Sequence, residues 1–363
     1  MKINSWLTDD EIAKSKTITR NNSNRTRRHH YVPQMYLRRW TTESTKTVRF
    51  TEISTHVSEL KDPDSIAYEE NFYQIAADDI DLDAHPDLWF ETHMSRIENA
   101  AARWLRSLDG LPDGRLTDPN LRANLAVFVA LQGLRTPRQR ASQLDIGDRI
   151  EQYGARTILD NPIALALVCA ANGIQYDPSS HNQILETMLA SEPISQEAKP
   201  VAIDSAIGIW RRAIAPHLTE RSWWLVSSTE PLLTCDEPVV LVGKPGQSRE
   251  YVRRYYTTPL ILFPVGPHRL LVLTDSNQPL TRPFSLDATE TSAVNLEIAA
   301  NCFEFVYERA DTNIAANISV PDRPETNPTA ETFWQEVNTP TRWLGSLSAP
   351  EWPLQRWTQE HQR

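Results

Sequence analysis

The chain is poor in cysteine, glycine and long apolar runs, and each shortage excludes something. Its three cysteines, Cys169, Cys235 and Cys302, lie far apart and form no C-x-x-C pair. That excludes a disulfide framework and a cysteine-rich zinc site, and leaves buried free thiols in a reducing compartment as the expectation. With 11 glycines and neither a G-x-x-x-x-G-K-[ST] nor a G-x-G-x-x-G string, a loop that cradles nucleotide phosphates is not expected. H-E-x-x-H and G-x-S-x-G are missing too. The most apolar run, Pro162 to Ala171, is about half the length that crosses a bilayer. The opening MKINSWLTDDEIAKSK has no apolar core of the secretory kind. A soluble, cytoplasmic protein with no membrane partner is the expectation.

What is present suffices for a folded protein. Of 363 residues 40% are hydrophobic, enough to bury a core. A net charge of −10 argues against nucleic-acid binding over the whole surface. It leaves room for one local basic patch, and Arg20, Arg25, Arg27, Arg28, Arg38 and Arg39 supply it near the front.

Periodicity gives the organisation. Residues 1–28 read as a basic polar arm that orders on packing or binding. Val48 to Ile53 alternate like a half-buried strand, and Asn71 to Ile75 fit a second. Between Glu91 and Leu108, Met94, Ile97, Ala101, Trp104, Leu105 and Leu108 make one helical apolar stripe. Asp118-Pro119 starts another helix, with a capping carboxylate and proline at the first helical position. That helix carries Leu121, Leu125, Phe128, Leu131 and Gln132 and stops near Thr136, ahead of Pro137.

Further helices are expected at 138–158, 162–172, 181–190 and 196–215. Beyond Ser222 come short β-branched or aromatic runs at 223–227, 239–242, 257–263, 270–274 and 303–307, with a helix at 287–301 between the last two. The Trp223-Trp224 pair should put one ring inward and one outward, the outer one able to stack on a base or sugar. The expected fold class is α+β: a single domain over 29–310, its helical middle (91–215) packed on a mainly antiparallel sheet from the C-terminal half (222–307) and N-terminal strands. A proline-rich wrapping tail is expected over 311–363.

The densest chemistry is in His30-Tyr31-Val32-Pro33-Gln34-Met35-Tyr36-Leu37-Arg38. This string resembles the opening signature of a widespread, mostly bacterial family of unknown function known by an HYVPQ-x-YL motif. Further segments resemble that family's motifs: Glu70-Asn71-Phe72-Tyr73, Ile97-Glu98, Leu134-Arg135-Thr136-Pro137 with Arg140, and Thr234-Cys235-Asp236-Glu237-Pro238-Val239. Cys235 stands in the last where serine is usual. Phe263-Pro264-Val265-Gly266-Pro267 and Asn295 complete the resemblance, which spans about residues 29 to 307. The family brings no settled activity.

Candidate site residues follow from residue type. Adjacent His29 and His30 point to opposite faces of an extended chain, so one, His30, faces a site and the other meets solvent. An imidazole there serves as general base, metal ligand or anion donor. Gln34 and Tyr36, two apart, share a face in a strand, whereas a helical turn separates them.

Arg135 ends an apolar helix, where it complements the helix C-terminus, captures a substrate carboxylate or phosphate, or pairs with Asp236 or Glu98. Asp236 sits in a proline-fixed turn, bonding its own backbone or acting as metal ligand or base. Glu98 lies just off its apolar stripe and needs a partner, or its pKa rises. Arg28 and Asn295 complete the set: catalytic His30, Glu98 and Asp236, and substrate-binding Arg28, Gln34, Tyr36, Arg135 and Asn295.

Three functions fit these residues. The first is a hydrolase acting on an anionic substrate, most concretely a phosphodiester of nucleic acid, with Mg²⁺ or Mn²⁺ as a candidate cofactor. The second is a non-catalytic nucleic-acid or ligand-binding module. The third is a biosynthetic or modifying enzyme for a small acid or peptide. Sequence gives no oligomeric state.

Overall fold

The computed structural model describes residues 4–21, 28–70, 88–139, 154–171, 174–190, 207–250, 254–275, 279–324 and 341–358. The strand expected at 71–75, residues 140–153 of the expected 138–158 helix, and 196–206 of the 196–215 helix lie outside these residues.

Helices are α1 (Asp9–Asn21), α2 (Gln34–Leu37), α3 (Trp89–Asp109), α4 (Pro119–Leu134), α5 (Ala155–Leu159), α6 (Pro162–Ala171), α7 (His181–Ala190), α8 (Ala215–Glu220), α9 (Ala288–Asn301) and α10 (Gln355–Thr358). Strands are β1 (Arg28–His30), β2 (Val48–Glu52), β3 (Ser58–Lys61), β4 (Tyr68–Glu70), β5 (Gly114–Arg115), β6 (Ser222–Ser228), β7 (Thr234–Cys235), β8 (Val240–Val242), β9 (Leu260–Gly266), β10 (Arg269–Thr274), β11 (Ser285–Leu286) and β12 (Phe305–Arg309). The class is α+β. No helix among the described residues is long and apolar enough to cross a membrane. The chain divides into two compact units, one of 1–29, 69–99 and 126–217, the other of 30–68, 100–125 and 218–363.

The first unit is helical. The front of α3 buries Trp89, Phe90, Met94 and Ile97, and the back of α4 buries every residue from Ala126 to Gln132. A helix buried all round is interior, which is why that part of α4 is apolar on every face except at Gln132. Trp210 donates its indole N–H to the Val127 carbonyl, 3.0 Å away, from a short π-helical segment, Trp210–Ile214.

The N-terminal arm is ordered as α1, which meets α3 mainly through polar groups. Arg96 reaches the Glu11 carboxylate and the Ser15 hydroxyl. Thr19 donates to Thr92, and Arg211 pairs with Asp9.

Under α1, His93 is fully buried, its Nδ1 2.8 Å from Ser15 Oγ and its ring edge-on to Trp210. Burial first, then the Arg96 charge, push its pKa from 6.5 down to about 4. The unfolded chain therefore takes up a proton between those values that the folded chain refuses. Stability falls as pH drops through this window, by about 3 kcal/mol at its lower end. Urea titrations from pH 7 to pH 4 should show that slope, and His93→Gln should flatten it; equal slopes in both proteins would contradict the assignment.

The second unit holds two sheets. One runs β11–β6–β10–β9–β8 with β5 added to β6, antiparallel except for the β11–β6 pair. The other runs β3–β2–β12–β7, antiparallel throughout. Helix α9 starts in a capping box of Asp287 and Glu290. It adds Val294, Ile298 and Ala299 to a core that includes Trp224, Val226, Leu262, Val272 and Val306.

Both rings of the Trp223-Trp224 pair are buried, which corrects the expected outward ring. Strand β6 lies inside its sheet with both faces covered; Trp223 donates to the Leu218 carbonyl and Trp224 to the Thr274 hydroxyl.

Past residue 311 the described chain is mostly irregular but not peripheral. Trp352, Leu354 and Trp357 belong to the core of the second unit. All three cysteines are buried and free.

Candidate functional site

Local structure decides which motif residues face one another. Tyr31 and Val32 bend the chain away from β1, and Pro33, in extended backbone at φ −61° and ψ 136°, stands at the start of a single helical turn, α2. That turn separates Gln34 from Tyr36, so the expected shared strand face does not form: proline at a helix start is compatible with helix in the residues that follow it.

Tyr36 is fully buried, donates its O–H to the Pro264 carbonyl at 2.7 Å and lies 2.7 Å from the Thr234 hydroxyl. Burial keeps its phenol well above the usual range. On the other side of the turn Gln34 meets His30, Nε2 to Nε2 at 3.3 Å, and accepts from Arg38 at 3.0 Å. His30 is half-buried, its ring 5.5 Å from that of Tyr68. The alternation of the histidine pair is as expected, but its direction is reversed: His29 is 0% exposed and does not meet solvent. Arg28 is exposed.

Asp236 and Asn295 spend their polar atoms on the backbone. Asp236 is 1% exposed, and its carboxylate accepts the amides of Phe303, Glu304 and Phe305 at 2.6, 2.6 and 2.8 Å. Asn295 accepts from the Leu233 amide and donates to the Pro231 carbonyl. Trp40 donates to the Leu232 carbonyl. Together with Tyr36, which meets Thr234, these side chains tie the segment 231–236 to its surroundings by hydrogen bonds.

The first unit gathers a different set. Arg135, 1% exposed at the end of α4, pairs with Glu98 of α3, whose side chain is 20% exposed. Of the two partners the sequence left open for Arg135, Glu98 and Asp236, the contact is with Glu98. One helical repeat of seven before Glu98 stands Glu91, so the two carboxyls share a face of α3.

Oε2 of Glu91 is buried and makes no hydrogen bond among the described residues. Burial, then the Glu98 charge, raise its pKa from 4.5 to about 8, with Arg135 opposing. One turn before Arg135 on α4 lies Gln132, fully buried, with neither end of its carboxamide hydrogen-bonded among the described residues.

The sequence reading missed Glu91 and Gln132. The seven-residue spacing puts the first on the helix face of Glu98 but does not announce its burial. An amide in the middle of an apolar stripe pointed to the second.

Among the described residues no three His, Cys, Asp or Glu side chains gather to hold a metal ion. The structure thus brings Glu98 to Arg135 beside Glu91, and His30 to Gln34. It commits Tyr36, Asp236 and Asn295 to the packing of 231–236.

A protein-family model described as a protein of unknown function (DUF4238) matches residues 28–312. No curated protein and no solved structure matches the chain.

Proposed function

The chain belongs to the DUF4238 family, and we propose that it is a hydrolase acting on an anionic ester, a phosphodiester in the first instance, with its acid–base centre at Glu91 and Glu98. The observation that carries this is a pair of carboxyls on one helix face in unlike surroundings, one with a buried oxygen that makes no hydrogen bond among the described residues and the other paired with a guanidinium. Glu91 keeps its proton to about pH 8, while the guanidinium of Arg135 sits on Glu98. Two carboxyls in such unlike surroundings can divide the roles of acid and base.

In the proposed reaction Glu98 accepts a proton from the attacking water and Glu91 gives its proton to the leaving oxygen. Arg135 offsets the negative charge gathered on Glu98 and the substrate. The two carboxyls end with protons exchanged and reset through solvent. Asp236 is given no part, because three amides already occupy its oxygens.

The test is cleavage of single-stranded and duplex RNA and DNA, and of bis(p-nitrophenyl) phosphate, with and without Mg²⁺ or Mn²⁺. Loss of the general acid should lower kcat of Glu91→Gln by about 10²–10⁴-fold, with Glu98→Gln falling comparably. Turnover that survives both substitutions, or no turnover on any substrate, would defeat the proposal. Binding of the same substrates without turnover would favour a non-catalytic module.

The same placement has a price in stability. A carboxyl at about pKa 8 in the folded chain and near 4.5 unfolded holds an extra proton only when folded, so stability falls as pH rises through that window. The loss is about 4–5 kcal/mol at its upper end. Glu91→Gln removes it, so the inactive variant should withstand more urea than the wild type at pH 8 and no more at pH 4.5. A variant weaker at pH 8 would show that the carboxylate is stabilised there.

A further inference from the structure

We infer that Gln132 is the specificity-determining residue of this site, and that it reads a planar cis-amide edge, a carbonyl acceptor beside an N–H donor. The inference rests on the reading of the α3–α4 face as a site, and it names the kind of group bound there.

Gln132 is 0% exposed on a stretch of α4 in which every neighbour from Ala126 to Leu131 is buried and apolar. Its Oε1 and Nε2 both lack a hydrogen-bond partner among the described residues. A carboxamide carries two donors and one acceptor with two lone pairs, and leaving them unmade in an interior is costly. Leucine or methionine fills the same volume without that cost. A buried polar group kept at such expense is accounted for when its partner arrives from outside the chain.

The neighbouring groups narrow what that partner is. One turn further along α4, Arg135 is already neutralised by Glu98, and Glu91 stays uncharged to about pH 8. The nearest charge along the helix is thus already paired, and an amide is suited to a neutral group with the reversed donor and acceptor order. A cis-lactam has that edge, and so does the imide edge of a pyrimidine base. In a phosphodiester substrate the base would supply it.

Two measurements on the full chain test this without requiring turnover. Gln132→Leu should melt higher than the wild type in the absence of ligand, by about 2–4 °C for each unmade bond relieved. Uridine or 2-pyrrolidinone, each added at millimolar concentration, should raise the melting temperature of the wild type and leave that of Gln132→Leu unchanged. A response to uridine alone identifies a base edge; a response to both identifies the lactam group itself. Either supports the inference.

A lower melting temperature for Gln132→Leu would mean that the chain or a bound water already satisfies the amide. Equal protection of both proteins, or no protection by either probe, would also overturn the assignment. Glu91→Gln should keep the probe response, so failure of the hydrolase reading appears as absent turnover with binding intact.

Discussion

Asp236→Ala is expected to cost the second unit about 3–5 kcal/mol. Its carboxylate takes three backbone amides, and charge-assisted bonds of this kind contribute roughly 1.5–3 kcal/mol each. Alanine leaves all three donors unpaired at the start of β12, the strand that joins β2 to β7 in the second sheet. Asp236→Asn should cost less than alanine, because the remaining carbonyl oxygen still accepts while the amide opposes a donor. A fall in the urea midpoint that ranks alanine above asparagine checks this. A stable Asp236→Ala protein whose only defect is in turnover would instead make Asp236 a catalytic residue.

Arg249→Ala should be comparably severe, through the residues beyond the family match. Arg249 is 6% exposed and pairs with Glu297 of α9, itself 7% exposed. It donates to the Pro350 and Glu351 carbonyls, and its guanidinium lies over Trp343 at 5.2 Å and Trp352 at 4.4 Å. Removing one partner of a buried pair leaves an uncompensated charge, at a cost of about 3–5 kcal/mol.

Burial already raises the Glu297 pKa against the pull of Arg249. Without the guanidinium that carboxyl keeps its proton to higher pH in the folded chain than in the unfolded one, so the variant should weaken further as pH rises above the ordinary carboxylate range. A companion substitution, Gly243→Ala, tests the tail from the other side: an added Cβ would stand 2.7 Å from the Trp352 ring. Urea melts at pH 5 and pH 8 decide the matter; if Arg249→Ala matches the wild type at both, the tail is not anchored in this way.

Much of the second unit was legible because its signals are local. Alternation marked β2, the β-branched runs marked β6, β8, β9 and β10, and the helix expected at 287–301 is α9. Asp118 caps α4 through the amides of Asn120 and Leu121, as its sequence context implied.

What could not be read was long-range. The direction of the His29–His30 alternation depends on what covers each face of β1. The fate of Trp224 depends on Thr274, fifty residues on. The polar motif residues illustrate the same limit: Tyr36, Asn295 and Asp236 have side chains that suit catalysis and backbone bracing equally, and only their partners around 231–236 separate the two. For Arg135 the sequence left Glu98 and Asp236 open as partners, and for Glu98 it asked only for a partner; the pair Glu98–Arg135 is what the fold makes. Glu91 was not singled out, because its importance comes from burial, which a single carboxylate in a helix does not announce.

The most direct measurement is the protonation state of Glu91 in the folded protein. Side chains labelled with ¹³C at the glutamate carboxyl, and the Glu91 resonance assigned by difference from Glu91→Gln, give a titration curve for that one group. The account predicts a midpoint near pH 8, falling when Glu98→Gln removes the neighbouring charge. A Glu91 carboxyl that ionises below pH 5 would leave the site without its acid.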